Sequence, residues 1–307
     1  MGRFVVAGIV QVETIVRVDK IPVEYSPITC KPNTIFTDIG GDAYGESLAL
    51  KSLGNEVTFM SMIGKNASQE ILNMYDIGMA LDTGYVLNVL SGTPTAVVLY
   101  DQDRQQQIFE DIKDLRNFEY DMSIFEKEAK VADMVVLANA QFCHPLAKRA
   151  KELGKTIAVN FRGFSEAKIP YNADLLRAAD IVYISDDNLV DSSYDFVKSL
   201  AAEFDNDIVI LGQGSKGLIL YSKKDEIIVH YNTVKTNEIV NTVGAGEALF
   251  SCFLHFYLKT GEPKRAIKNA LLFASYKLGF TGSCKGFLTE EELEHWYSLI
   301  WKEERID

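Results

Sequence analysis

Residues 238–258 read EIVNTVGAGEALFSCFLHFYL. A polar turn carrying Gly244, Ala245 and Gly246 runs directly into an apolar segment of helical length. Small residues let the backbone curl tightly enough for successive N–H groups to converge on one point. That point lies at the positive end of the following helix, where an anion is best held. Glu247 sets a carboxylate in the first turn of the same helix. A phosphate cradle beside a candidate base is one reading. A tight connection with a dipole-favouring glutamate is the other, and the segment alone leaves both open.

The chain leading to this turn alternates apolar runs with helical stretches. MVVLAN (134–139), TIAVNF (156–161), DIVYIS (180–185) and DIVIL (207–211) are strand-like, and segments ending at Leu153, Ala179 and Phe204 separate them. Such alternation implies an α/β fold with a mostly parallel sheet covered on both faces, a three-layer α/β/α sandwich. At the other end, Arg3–Val10 reads as a buried strand and residues 11–22 as a half-exposed one. Gly40–Gly41 opens a helix through Leu53, Gly54 closes it, and VTFMSMIG follows as a strand. Residues 92–112 read as two strands around a turn at 101–104. With no repeat or linker, one domain spans residues 1–307.

Gly212, Gly214 and Gly217 spell the dinucleotide fingerprint after a strand. That fingerprint needs a helix next. LILYSKKDEIIVHY reads instead as a hairpin turning at Lys223–Glu226, which excludes the dinucleotide reading. The lysine-ending phosphate loop of nucleotide hydrolases is absent too.

A formal charge of −12 over 307 residues argues against nucleic acid or an anionic membrane as partner. The apolar run 248–258 is shorter than the ~20 residues a membrane span needs. The start of the chain reads as a strand, not a signal peptide. The four cysteines lie far apart with no metal spacing, as expected of reduced thiols in a cytoplasmic protein. His144 and the other histidines show no metal pattern. Phe250, Phe253, Phe256 and Tyr257 are expected in the core.

NTVGAGEALFSCFL resembles the D-T-x-G-A-G-D signature of the ribokinase-like (PfkB) carbohydrate kinase family, with Asn241 and Glu247 at the two acid positions. The stretch from Gly40 to Gly54 is similar to the family's other glycine signature, with Gly45 and Ser47 where Asn and Ala are usual. The resemblance implies that Gly244, Ala245 and Gly246 form an anion hole and that Glu247 takes the proton of a sugar hydroxyl. It implies a small β-sheet lid from inserts at about 11–38 and 86–113. Gln11 and Glu13, in place of an Asn-x-Asp pair, would bind the sugar with Gly40, Gly41, Gly45, Asn160 and Arg162. Read without it, Gln11 and Glu13 are an exposed strand-end pair, and Arg162 pairs with a surface carboxylate.

Gly214, Lys216 and Gly217, with Asn241 and Thr242, would lie along ATP. Asp186 or Asp187 would organise Mg2+, although Ser-Asp-Asp also reads as a helix cap. FASYKLGFTGSCKGF (273–287) falls where the family closes over the adenine, without an assigned contact. The expected cofactors are ATP and Mg2+, with room for a monovalent cation. The expected partner is a sugar or small polyol, and two lids could pair into a homodimer. A nucleoside kinase, or a non-catalytic sugar or nucleotide sensor on the same fold, remain the alternatives.

Overall fold

The structure, a computed structural model, describes residues 1–65, 81–103, 105–186, 189 and 193–301. Its main sheet is built from β1 (Arg3–Ala7), β4 (Glu56–Gly64), β5 (Val86–Leu90), β8 (Met134–Ala138), β9 (Thr156–Phe161), β10 (Ile181–Ser185), β11 (Ile208–Gly212), β12 (Leu218–Ser222) and β13 (Ile227–Tyr231). They lie in the order β13-β12-β11-β10-β9-β8-β1-β4-β5. From β11 to β5 every pair is parallel, while β12 and β13 add on antiparallel.

The inner strands are apolar throughout because both faces are covered. Phe4 and Val6 of β1 enter one core with Met134, Val136, Ile181, Ile208 and Ile210. Val5 and Ala7 enter the other with Val135, Leu137, Val182, Ile184, Val209 and Leu211. The first core is closed by α1 (Asp42–Ser52), α6 (Ala245–Thr260), α7 (Pro263–Lys277) and α8 (Glu290–Ile300). The second is closed by α2 (Met122–Val131), α3 (Cys143–Glu152), α4 (Ile169–Ala178) and α5 (Ser193–Phe204). Local signals set the helix ends. Asp121 accepts from Ser123 and Ile124 N–H to start α2, Thr289 and Glu292 form a capping box on α8, and left-handed Gly261 ends α6. This is the three-layer α/β/α sandwich expected. Phe250, Phe253 and Phe256 are buried in it.

A second sheet has the order β3-β2-β6-β7, from β3 (Ile35–Gly40), β2 (Gln11–Arg17), β6 (Thr95–Tyr100) and β7 (Gln106–Asp111). Its register decides what faces the main domain. Glu13 stands opposite Asp38 on one side and Ala96 on the other, and Ala96 stands opposite Glu110. Three carboxylates therefore share one row on one face, because residues directly opposite in a sheet point the same way. The reverse face leaves Ile35, Val97 and Phe109 exposed.

Several expectations change. The small sheet's second segment begins at Thr95, not 86, since Val86–Leu90 pairs with β4 in the main sheet. The first strand ends at Ala7, where Gly8 and Ile9 break away toward β2. Gln11 and Glu13 are buried rather than exposed, because β2 turns that face inward. The GQGSKG segment makes a single short turn at Gly214–Lys216 and then the β12–β13 hairpin. Arg104 and Asp187 lie outside the described residues. All four cysteines are unpaired, and no described helix is long and apolar enough to cross a membrane.

Candidate functional site

The turn before α6 is held by backbone geometry. Gly244 has φ +77°, and a methyl group there would fall 2.2 Å from Ser283 O. Only glycine fits both demands. A methyl at Gly246 would fall 2.9 Å from the Tyr183 hydroxyl of β10, which also packs against Gly212 at the end of β11. Asn241 orients the approach: its amide donates to Phe280 O and its Oδ1 accepts from Val243 N at 3.1 Å. Thr242 receives a hydrogen bond from Gln106 of the small sheet. The turn residues 244–246 and Glu247 remain partly exposed at the amide end of this 16-residue helix. There the Ala245 N–H donates to Thr242 O at 3.3 Å, and among the described residues no loop or cap hydrogen bond takes up those of Gly244 and Gly246.

Glu247 faces α1. A methyl at Gly45 would contact Cys284 Sγ at 3.4 Å and Glu247 Cβ at 3.8 Å, so that glycine keeps the space in front of the acid open. Among the described residues no group donates a hydrogen bond to the Glu247 carboxylate. Its charge is felt by Asp42, Glu46, Arg162, Lys277 and Cys284, which places it at the centre of a polar cluster.

That cluster was largely unforeseen. Asp42 lies over the end of β1 and accepts from Ile9 and Ala43 N–H at 2.8 and 2.6 Å. Burial raises its pKa to about 6, against the pull of Arg162. One helical turn on, Glu46 is wholly buried and accepts from Asn160 Nδ2 at 2.7 Å. Its second oxygen is buried with no partner. Burial, and then the charge of Asp42, hold this carboxyl well above the usual carboxylate range. Arg162 donates to Glu110 at 2.7 Å and lies 3.8 Å from Asp42. Burial opposes its charge, but Glu110, Asp42, Glu247 and Glu13 outweigh that and hold the guanidinium firmly protonated. Arg162 thus does pair with a surface carboxylate, Glu110, which β7 brings over it, and on its inner side it also lies near the buried Asp42.

The carboxylate row of the small sheet meets the main domain at three points. Glu110 meets Arg162, Asp38 pairs with Lys285, and Glu13 reaches the glycine pair. Glu13 accepts from Gln11 Nε2 at 3.0 Å, Gly41 N at 3.1 Å and Ser283 Oγ at 2.7 Å. A methyl at Gly40 would land 2.1 Å from its carboxyl carbon. Gly41, at φ +108°, closes against Ile9 O. Three donors already engage Glu13, so it sets the positions of Gly41 and Ser283. Gln11 Oε1 is the acceptor left buried without a partner. Ser283, Cys284 and Lys285 come from the stretch placed along the adenine; here they lie against Gly244, Gly45 and the small sheet instead.

The expected nucleotide loop sits at the end of β11. Gly214 has φ +55° with open space around it, and Gly217 has φ +101° where a methyl would strike Tyr231 O. His230 contacts the Lys216 carbonyl at 2.8 Å. Gln213 reaches the Asp186 carboxylate at 3.3 Å and Ser193 at 3.0 Å. Tyr183 lies between Gly212 and Gly246 and so links this loop to the anion turn. No three described His, Cys, Asp or Glu residues could hold a metal by themselves. Mg2+ keeps waters and phosphate ligands and needs only one or two carboxylates, and Asp186 offers one. The open amide turn fits the phosphates of ATP by the same backbone chemistry.

Comparison with known proteins agrees with this geometry. The family model described as pfkB family carbohydrate kinase matches residues 1–290. A deoxyribokinase of Salmonella typhi is 32% identical over 91 residues, 30% of this chain and 29% of that protein. An ATP-dependent ribose-1-phosphate kinase of Halopiger xanaduensis is 24% identical over 295 residues, covering 92% of this chain and 94% of that one. The structure of a microbiome-derived acarbose kinase superimposes with a TM-score of 0.82 at 22% identity, covering 96% and 98% of the two chains.

Proposed function

The chain belongs to the pfkB family of carbohydrate kinases, and from that premise we propose that it transfers a phosphoryl group from ATP to a hydroxyl of a sugar or related small polyol. One observation carries the reading: an open amide turn at the start of α6 stands beside a carboxylate facing a polar cluster under a small sheet. When bound, ATP would supply the phosphoryl group and Mg2+ would neutralise part of its charge, and Asp186 is the described carboxylate that would hold the ion. The chain's own residues do the rest. The N–H groups of Gly244 and Gly246 hold the passing phosphoryl from behind, while that of Ala245 donates to Thr242 O at 3.3 Å. Glu247 accepts the proton of the attacking hydroxyl.

The small sheet acts as a lid that keeps water from competing for the phosphoryl group. Arg162 anchors its carboxylate row. Gln11 Oε1, a buried acceptor without a partner, suits a donor such as a sugar hydroxyl. Glu46 Oε2, also buried without a partner, belongs to a carboxyl held toward its protonated form and can donate. Glutamate at 247 and the longer Gln11 and Glu13 displace the reacting alcohol relative to shorter side chains, and this shapes which sugar fits.

ATP consumption over a panel of pentoses, hexoses, polyols and nucleosides tests the proposal. Glu247→Ala is expected to lower kcat by roughly 10²–10⁴-fold with ATP binding retained. Binding without turnover, unchanged in Glu247→Ala, would instead mark a sensor.

A further inference from the structure

Lys277 ends α7, a position from which a lysine ordinarily reaches into water past the last carbonyls. Here it has no exposed surface. Its Nζ donates to Val243 O and to Gly282 O, the latter at 2.8 Å. Val243 directly precedes left-handed Gly244, and Gly282 directly precedes Ser283, whose carbonyl packs on Gly244. The ammonium therefore bridges the two loops that meet at the anion turn. No described carboxylate is within ion-pair distance of it; Cys284, Glu247 and Glu13 are the titratable groups that face it.

Burying an ammonium without a direct counter-ion is costly, and burial lowers its pKa to about 8. It is still mainly protonated at neutral pH. A leucine or methionine would fill the same space without that cost. What the ammonium adds is a fixed positive charge and two hydrogen bonds that engage the Val243 and Gly282 carbonyls. Carbonyl oxygens converging on a small cation are also how proteins hold a monovalent metal ion. Asn241 ties the same two loops but is neutral, so nothing at that position cancels the charge.

The resemblance left room for a monovalent cation, yet these two carbonyls beside the turn already hold a side chain. We infer that Lys277 is the built-in monovalent cation of the anion turn, and that this protein binds its phosphate-bearing ligand without needing an exchangeable one. The inference rests on the kinase reading of the turn, but its tests need no turnover.

Melting temperature and ATP affinity of the wild-type protein are measured in potassium, ammonium, sodium and tetramethylammonium chloride at equal ionic strength. The expected result is no preference among the four. A higher melting temperature, or several-fold tighter ATP binding, in potassium or ammonium than in tetramethylammonium would overturn the inference by showing a separate exchangeable site.

Lys277→Met keeps the stem and removes the charge, and should weaken ATP binding about tenfold. Unchanged affinity in that variant would equally overturn it. In Lys277→Ala, which empties the space between the carbonyls, potassium or ammonium should restore affinity and melting temperature where tetramethylammonium does not. Should the wild type bind no ATP, the kinase reading fails. The melting-temperature comparison across salts still decides the role of the lysine.

Discussion

Toward the β11–β12 loop, the site presents backbone: left-handed Gly244, Gly214 and Gly217, the amide end of α6 and one visible carboxylate at Asp186. Toward the small sheet it presents charge: Glu13, Asp38 and Glu110 in one row, with Asp42, Glu46, Arg162 and Lys285 packed against them. The two regions offer a ligand different physics. Amides fixed by φ and ψ carry no titratable proton, so these donors are themselves insensitive to pH and sensitive to backbone shape, with the Lys277 ammonium behind them the group that titrates, near pH 8. Desolvated carboxylates are the reverse, tolerant of small backbone changes and sensitive to proton and ion balance.

Gly244→Ala puts the backbone region under the strongest test. Its φ of +77° costs an alanine about 1–2 kcal/mol, and its methyl must also clear Ser283 O, 2.2 Å from its ideal position. We expect a drop of several degrees in melting temperature and a loss of roughly 100-fold in kcat. Gly154→Ala, after α3 and away from the site, is the matched control, since its φ is also positive but nothing lies within 4 Å of the added methyl. It should cost about 1 kcal/mol and little rate. Equal losses in the two variants would mean that the turn at 244 has no special relation to the ligand.

The charge region breaks at Arg162. Arg162→Met keeps the stem and strands Asp42 and Glu110, which both face the guanidinium. Breaking a fully buried pair costs about 3–5 kcal/mol; with the Arg162 side chain 25% exposed, about 2 kcal/mol is the better expectation. Because the small sheet is tied down there, KM for the alcohol should rise about tenfold while ATP affinity holds if that sheet is the lid proposed above. A loss confined to ATP affinity would place Arg162 in the other region and dissolve the contrast.

The same contrast governs how much the sequence disclosed. Glycines at 244, 246, 40 and 41 were legible because tight turns and close approaches demand glycine wherever they occur. The parallel strands were legible because sheets buried on both faces read as unbroken apolar runs. Asp42 and Glu46 were not, since DAYGESLALKS looks like a helix with a polar side. It has none: every residue from Asp42 to Leu50 is buried. The partner that closes over it is α6, two hundred positions later, from which Ser251 bonds to Glu46 O. Glu110 lay hidden in an ordinary exposed strand, and only register aligns it with Glu13. Lys277 carried no local mark, because its carbonyl partners come from two separate loops. The start of the small sheet was misplaced at 86 for a related reason: VLNVL suits either sheet, and pairing with β4 decides.

The smallest expected effect, and the one whose sign matters most, belongs to Glu46. Its folded pKa stands above the unfolded value, so its contribution to stability is fully present at pH below the ordinary carboxylate pKa. That contribution is lost as pH rises through the folded value. Asp42 does the same but completes its loss near pH 6. Above about pH 6, then, where the Asp42 contribution is gone, the ionisation of Glu46 adds to any further decline in wild-type stability. Glu46→Gln can keep the hydrogen bond from Asn160 and cannot ionise. It should match the wild type below the ordinary carboxylate pKa and exceed it by about 1 kcal/mol once the wild-type carboxyl ionises at higher pH, flattening the curve of melting temperature against pH. Parallel curves for the two proteins would show that the Glu46 carboxyl keeps its proton throughout that range. The pH sensitivity assigned to the charged region would then have to come from elsewhere.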